Sequence, residues 1–544
     1  MASAALPARK AAPRPAVPVY SAEEDVPHLP VANPLFLTLG IMTASLIQVL
    51  DSTIANVAIP HMQSSLGSTP DEISWVLTSY IVAVAVFMPI TGWLADRIGS
   101  RRLFISSVAG FVISSMLCGM AQNVTEMVIF RALQGATGAF IAPLAQAAMI
   151  DTNKPSRQPQ MMALWGIGIM IGPILGPLLG GWLTENWNWR WVFYVNVPLG
   201  GISLAILITA LPSREVVRRR FDLAGFALLG TLLVSIQLLL DRGNHVDWFD
   251  AAESWIYAFL ILSSAWMATI HFTTAKHTLF DRELFANPNF IFGIVFSLAM
   301  GVVMFATIAL LPPMLQRLFG YGVIDTGEAL MPRGVGTLIT MQISGILVRR
   351  GFDPRILIAA GFSIAAYSLW AMSQWSLATD FNQVVIWGFV QGIGMGLIFI
   401  PLNACSFSTL PAHLRTEASS LLNLSRSIGS SIGISIVITL LGVSLQTSHA
   451  DLAGHATGAM TGVIDFSTID RFQRLGEAAL VMLDGEINRQ AAMIGYINDF
   501  YLMMWMTLAV IPLTFVMRRP QLGPPGPPKD GRPGQPEDPP DLPH

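Results

Sequence analysis

A single carboxylate, Asp51, interrupts the apolar run Leu35 to Ala58, LFLTLGIMTASLIQVLDSTIANVA, which is long enough to cross a bilayer as a helix. A charge near the middle of such a run costs about 2.5–3.5 kcal/mol to insert. The uses that justify that cost are ion binding, proton relay or a buried ion pair. A second buried-charge candidate is Arg131, in the run that opens FRALQG. At 1.5 Å per residue, Asp51 lies roughly 9–13 Å from the C-terminal end of its run and Arg131 roughly 7–8 Å from the N-terminal end of its own. If those ends share one side of the bilayer, the two charges are level. A nearby cation and apolar burial act on a carboxylate in opposite directions, so one held between them can take and release a proton. At 100° per residue, Ser45, Gln48, Asp51, Ser52 and Asn56 fall on one arc of about 140°. Such a stripe faces either a neighbouring helix or a water-filled cavity.

Two further strings carry chemistry. GWLADRIGSRR combines Gly92 and Gly99 with Asp96, Arg97, Arg101 and Arg102; the arginines alone would serve as a positively charged anchor beside the membrane. Asp151 closes a later apolar run on the same side and is a candidate partner for one of these arginines. GPILGPLLGGW spaces Gly172, Gly176, Pro177, Gly180 and Gly181 so that a second helix can approach closely, while Pro177 frees a carbonyl and kinks the helix. Candidates for an adaptable apolar cavity are Gln48, Asn56, Gln134, Trp165, Trp387, Gln391, Phe399, Asn403 and Asn423, each of which could equally be ordinary packing. Arg333 is expected to pair with Glu328 about one helical turn away. Arg426 has no assigned role.

The elements that position these residues follow from composition. The chain has 544 residues, 53% hydrophobic and 12% charged, against about 25% charged in soluble proteins. Fourteen apolar stretches of spanning length can be placed, at 35–57, 73–94, 103–121, 127–150, 160–184, 192–211, 222–240, 254–273, 289–313, 325–348, 355–374, 382–404, 416–443 and 494–517. They are continuous rather than alternating, which predicts helices and not barrel strands. Both cysteines, Cys118 and Cys405, fall inside these stretches, so no disulfide framework is expected. With the N-terminus inside, 22 Lys and Arg fall on the inner side, six on the outer, and three, Arg131, Arg333 and Arg426, within spans; this places both termini in the cytoplasm.

The expected organisation is a disordered segment 1–33 without a signal-peptide h-region, a six-helix bundle at 34–213, a linker with two inserted helices at 214–280, a second six-helix bundle at 281–519 with a large external loop at 444–493, and a disordered Pro-rich tail at 520–544. The basic segment Arg214–Arg220 would be the hinge. A faint repeat relates RALQGATGAFIAPLAQA to GFVQGIGMGLIFIPLNA, matching Gln134 to Gln391 and Pro143 to Pro401. Repeated halves are the architecture of alternating-access transporters.

These strings carry a resemblance. GWLADRIGSRR resembles the signature loop of the major facilitator superfamily, with Ser100 in place of the first basic residue of that pattern. GPILGPLLGGW resembles the antiporter motif of that superfamily's exporters. With LDSTIANVAIP, RALQG, RWVFYVNVPLG and LLLDRGNHVDWF, nearly the whole chain is similar to the 14-span drug:proton antiporters of the EmrB/QacA family, and LLLDRGNHVDWF, RELFANPNF and the loop before the last span are most similar to its EmrB branch.

The resemblance implies an all-α polytopic membrane protein with the major facilitator fold, its 14 transmembrane helices arranged 6+2+6. It implies proton-driven efflux of hydrophobic compounds across a bacterial inner membrane, with Asp51 and Arg131 as the proton-coupling pair. Asp96 and its loop would form a latch that holds the halves together in one state and releases them in the other. It also implies a periplasmic adaptor (EmrA-like) and an outer-membrane channel (TolC-like) as partners. The alternative is an exporter dedicated to one endogenous metabolite such as a siderophore, fatty acid or antibiotic. No lysine follows a glycine, which excludes a P-loop and direct use of ATP. No cofactor, metal, nucleic-acid partner or enzymatic activity is expected; the proton is the coupling ion.

Overall fold

Inside a bilayer every backbone N–H and C=O must be satisfied within the protein, so apolar runs fold as helices whose ends need partners. Seven of the long helices begin on an Asn, Thr or Asp side chain that accepts a hydrogen bond from the first turn: Asn33, Thr69, Asn123, Asp222, Asn287, Asp353 and Asp380. At Thr69 the bond is reciprocal, with Glu72 reaching back to the cap. The computed structural model describes residues 26–517 apart from 214–215, 218–219, 244–245, 276, 409 and 463–476. Residues 1–25, the tail from 518, most of Arg214–Arg220 and the centre of the 444–493 segment lie outside the described residues.

The long helices are α1 (Pro34–Leu66), α2 (Pro70–Ile98), α3 (Ser100–Met120), α4 (Val124–Asp151), α5 (Gln158–Asn186), α6 (Trp191–Ala210) and α7 (Leu223–Arg242). They continue with α8 (Ala252–Thr274), α9 (Pro288–Arg317), α10 (Val323–Arg349), α11 (Pro354–Met372), α12 (Phe381–Phe407), α13 (Arg415–Gly462) and α14 (Glu477–Val510). Among the described residues, 13 helices are long and apolar enough to cross a membrane. The fourteenth long helix, α10, has 27 residues but is less apolar because it carries Asp325, Glu328 and Arg333. Helices α13 and α14 run well beyond the expected spans 416–443 and 494–517, so the described flanks of the 444–493 segment are helical.

Packing sorts the helices. In the N-terminal part α1 lies against α5 and α6, and α4 against α2 and α3. In the C-terminal part α12 lies against α10 and α11, and α13 against α9 and α14. The two parts meet where α5 packs on α10 and where α13 packs on the ends of α2 and α4. Helix α7 touches both α2 and α13, and α8 packs mainly on α7, with Trp255, Phe259, Leu262 and Trp266 exposed as befits a lipid-facing helix.

Two glycines show why those residues are needed. Gly99 alone separates α2 from α3 at φ +91°, a backbone region that side chains rarely adopt. Gly176 of α5 lies so close to Thr53 of α1 that any Cβ there would collide with the threonine hydroxyl. Gly172 and Gly180 repeat the approach one turn away on either side, against Val49 and Ile54. Gly181 is buried too. The small-residue face of α5 is therefore the α1–α5 seam.

Candidate functional site

Asp51 and Arg131 meet. Both are fully buried, and Arg131 Nη1 donates to Asp51 Oδ2 at 2.6 Å. Gln134, one turn along α4, donates to Asp51 Oδ1 at 2.8 Å, and Asn196 of α6 donates to the same oxygen at 2.8 Å. The carboxylate thus accepts from three donors. The guanidinium is held in turn: its Nε donates to the Val76 carbonyl at 3.1 Å, Nη1 also donates to Gln134 Oε1 at 2.8 Å, and it lies 4.2 Å from the Tyr80 ring centroid. Asn196 also donates to Ser115 Oγ at 3.0 Å, and Ser115 donates to the Phe193 carbonyl at 2.9 Å. Five helices, α1, α2, α3, α4 and α6, therefore contribute to one closed polar knot inside the N-terminal part.

The polar stripe of α1 does not act as a unit. Ser45 accepts from Trp165 Nε1 of α5 at 2.8 Å. Gln48 is buried with its Oε1 unpartnered. Asn56 is exposed although Ala55, Ala58 and Met62 around it are fully buried, so it stands on the face of α1 turned away from that packing. Helix α1 extends to Leu66, which puts Asp51 near its middle rather than near its far end.

The signature loop lies where the two parts meet. Gly92 is buried against Glu417 of α13, with no room for a Cβ. The Asp96 carbonyl accepts from Val217 N at 2.9 Å. Arg97 stacks 5.4 Å from the Trp93 centroid, Arg101 donates to the Ile208 carbonyl at 2.6 Å, and Arg102 is exposed. Asp151 was expected to face an arginine of this loop; its Oδ1 instead accepts from Arg415 of α13 at 3.1 Å, because α13 begins directly over the end of α4.

Above that pair lies a junction that sequence reasoning missed. Gln146 of α4 is fully buried. It donates to Asn403 Oδ1 of α12 at 2.5 Å and accepts from Ser419 Oγ at 2.6 Å and Asn423 Nδ2 at 2.8 Å, both on α13. Asn403 and Asn423 thus bridge the two parts rather than lining open space.

Open space exists further along the bundle. An apolar cavity lies between α5, α9, α10 and α12. Six methionines line it (Met170, Met300, Met304, Met331, Met341 and Met395), with Phe399, Pro177 and Arg333. Trp165 sits beside it, 6.3 Å from the Phe399 ring. Gln391 is buried and donates to Thr307 of α9 at 3.1 Å, much as Gln134 donates to Asp51. By the same register the position matching Arg131 in α12 is Gly388, so the repeat keeps its glutamine and drops its ion pair. Trp387 points the other way, edge-on to the exposed Tyr367 of α11.

Arg333 was expected to pair with Glu328; Glu328 is exposed, and Arg333 Nη2 donates to the Met304 carbonyl at 3.1 Å. Arg426 of α13 stacks 4.9 Å from the Phe399 centroid, donates to Asn423 Oδ1 at 3.4 Å, and leaves its buried Nε unpartnered. On α14, Asp499 is fully buried with neither carboxylate oxygen hydrogen-bonded.

Two bundles meeting over a central cavity, with a glycine–acid–arginine loop at the seam, define a class. Residues 41–434 match the Major Facilitator Superfamily model, and the chain belongs to that superfamily. Within it the chain is an EmrB-like drug transporter. It is 34% identical over 424 residues to the multidrug export protein EmrB of Escherichia coli (strain K12), covering 77% of this chain and 83% of that protein. It is 32% identical over 501 residues to the fatty acid resistance protein FarB of Neisseria gonorrhoeae, covering 91% of this chain and 98% of that one. The solved structure of the proton:xylose symporter XylE superposes with a TM-score of 0.57 at 12% identity over 89% of this chain and 95% of that one, a likeness of fold.

Proposed function

We propose that the chain is a proton-driven exporter of hydrophobic compounds that works by alternating access. The observation that carries this reading is the sealed Asp51–Arg131 pair, since a buried ion pair in a membrane helix is retained at a cost and can exchange a proton for a conformational change. Protonation of Asp51 would cancel its attraction to Arg131 and loosen the five-helix knot; deprotonation would restore it. Because Asp51 is buried in the N-terminal part and does not line the cavity, proton and substrate occupy separate places. Coupling between them then runs through the junction at Gly92, Asp151 and Gln146. One proton moving through 100 mV gains about 2.3 kcal/mol, enough for roughly a fiftyfold gradient of a neutral substrate.

The same reading places all 14 long helices across the membrane as 6+2+6 with both termini cytoplasmic, so that the cross-linked end faces the cytoplasm and the cavity lies in the outer half of the bundle. It makes the chain the inner-membrane pump of a tripartite system with a periplasmic adaptor and an outer-membrane channel, using the proton and no other cofactor. A second reading, an exporter dedicated to one endogenous acid, is favoured by the relative from Neisseria gonorrhoeae, which is named for fatty acid resistance.

The test is substrate-induced proton release from purified protein, with transport in proteoliposomes under an imposed pH gradient. Asp51→Asn is expected to fold, bind substrate and fail to concentrate it. Uphill transport by Asp51→Asn at the wild-type rate would remove the proton role.

A further inference from the structure

A polar stripe runs along α13. Ser419, Asn423, Ser427, Ser431 and Ser435 recur at every fourth residue. At 100° per residue each step advances about 40°, so the stripe winds through about 160° between its ends. Its first two members meet α4 and bond to Gln146. Its last two meet the inserted helix α7: Ser431 donates to Gln237 Oε1 at 2.9 Å, and Ser435 donates to the Leu240 carbonyl at 2.8 Å. Gln237 and Ser435 are both buried.

Other residues of α7 fasten it to α2. Thr78 donates to the Asp241 carboxylate, Arg242 lies 5.6 Å from the Trp75 ring centroid, and the Phe226 and Phe87 rings lie 6.5 Å apart. At its far end α2 meets α13 directly, where Gly92 abuts Glu417. The two parts are therefore tied at both ends: near Gln146 by direct contact, and at the opposite end by way of α7.

The two contacts of α7 differ in kind. Its contact with α2 is the broader one and includes aromatic rings; its contact with α13 is narrower and carries hydrogen bonds. Membrane helices gain no hydrophobic energy by packing on each other, so buried polar pairs act as glue, each contributing little. The Ser431 hydroxyl also has a second acceptor on its own helix, the Ser427 carbonyl at 3.3 Å. It can leave Gln237 without being stranded, and a bond whose donor keeps a partner opens at small cost.

We infer that α7 is a releasable clamp that joins the two parts at the end opposite the Gln146 junction. It travels with α2, and Gln237 is the positioning residue whose bond to Ser431 sets how readily α13 departs. The inference deepens the alternating-access reading and rests on it, since parts that separate at each end in turn need a tie at each end that yields.

The test uses the full chain in nanodiscs with spin labels at Asp71→Cys and Gln446→Cys, exposed positions of α2 and α13 beyond the clamp. A second sample carries labels at Lys154→Cys and His413→Cys, exposed at the other end. Gln237→Leu is expected to raise the ratio of long to short distances for the first pair about fivefold, the worth of one buried hydrogen bond, and to lower it for the second. Ser431→Ala is expected to do the same, and the double variant no more than either alone. Ser431→Thr, which keeps the hydroxyl, is expected to match wild type. Unchanged distances in folded Gln237→Leu protein overturn the inference, even if its thermal midpoint falls, because Gln237 would then be static glue. Additive shifts in the double variant overturn it too, since the two side chains would act separately. Wild-type protein that shows no uphill transport in proteoliposomes overturns the export reading and this inference with it, a failure distinct from the other two.

Discussion

Replacing Gln146 with leucine removes a side chain of the N-terminal part that bonds to both α12 and α13. Asn423 would keep its bond to the Ser419 carbonyl at 2.8 Å. Asn403 Oδ1 would lose its donor and the Ser419 hydroxyl its acceptor, both still buried, with Ser419 Oγ keeping only the Asn423 amide at 3.4 Å. A buried polar atom left unsatisfied costs about 1–3 kcal/mol, so the closed arrangement weakens by about 2–6 kcal/mol. When the two parts separate, water reaches both atoms and the cost disappears. The population therefore shifts at least about thirtyfold toward separation at this end. Spin labels at Lys154→Cys and His413→Cys, both exposed and on opposite sides of the seam, measure it. The native Cys118 and Cys405 are buried and escape labelling. Gln146→Leu is expected to convert a short distance distribution into a long one. An unchanged distribution in a folded variant would refute the claim that these bonds hold the seam shut.

Asp51→Ala strands Arg131 as a buried unpaired cation and is expected to cost about 3–5 kcal/mol, read as a lowered thermal midpoint; Asp51→Leu with Arg131→Leu recovers the midpoint and not transport. A double variant as unstable as the single one would show that the charges are not the cause. Gly176→Val forces α1 from α5 at Thr53 and is expected to lower the midpoint by several degrees, for about 1–3 kcal/mol of overpacking; an unshifted midpoint would show that the seam yields freely. Asp499→Asn removes a buried carboxylate whose oxygens have no partner and is expected to raise the midpoint. A fall would mean that the carboxylate is bound by something in the native state.

The Asp51–Arg131 contact was legible because a charge in an apolar run has very few possible mates, and depth along two helices narrows the choice to one. Its neighbours were legible only in part. Gln134 reads as a polar residue facing inward, and whether inward means cavity or ion pair depends on rotations that periodicity does not resolve. Asn196 and Gln146 each stand alone in an apolar stretch, and that isolation was the available signal. Gln146 bonds to residues more than 250 positions away, so nothing local marks it. Trp387 and Asn56 stand elsewhere than the sequence suggests. An aromatic in a membrane helix is as stable against lipid as against protein. Asn56 lies at the edge of the polar arc of α1, and periodicity alone does not resolve on which side of the buried Ala55 and Ala58 face it falls. Helix α10 was placed as a span in spite of its charges, and the structure gives the reason for them: Arg333 faces a cavity rather than lipid. The α5 glycines are legible as a close-packing surface, but that they meet α1 required the fold.

Helix α13 has 48 residues, about 72 Å at 1.5 Å per residue, against an apolar bilayer thickness of about 30 Å. Much of it, with the early turns of α14, must therefore stand clear of the lipid as a paired arm, cross-tied where His449 Nε2 meets Asp484 Oδ1 at 3.0 Å. The lower end of the same helix carries Arg415, Ser419 and Asn423, the contacts that close the seam. One continuous helix thus joins the gate to a projecting tip. A tilt of about 10° carries the end of a 30 Å arm through roughly 5 Å, taking 20 residues of helix as its length. The gearing turns a small rearrangement between packed helices into a stroke large enough to be felt by whatever rests on the tip.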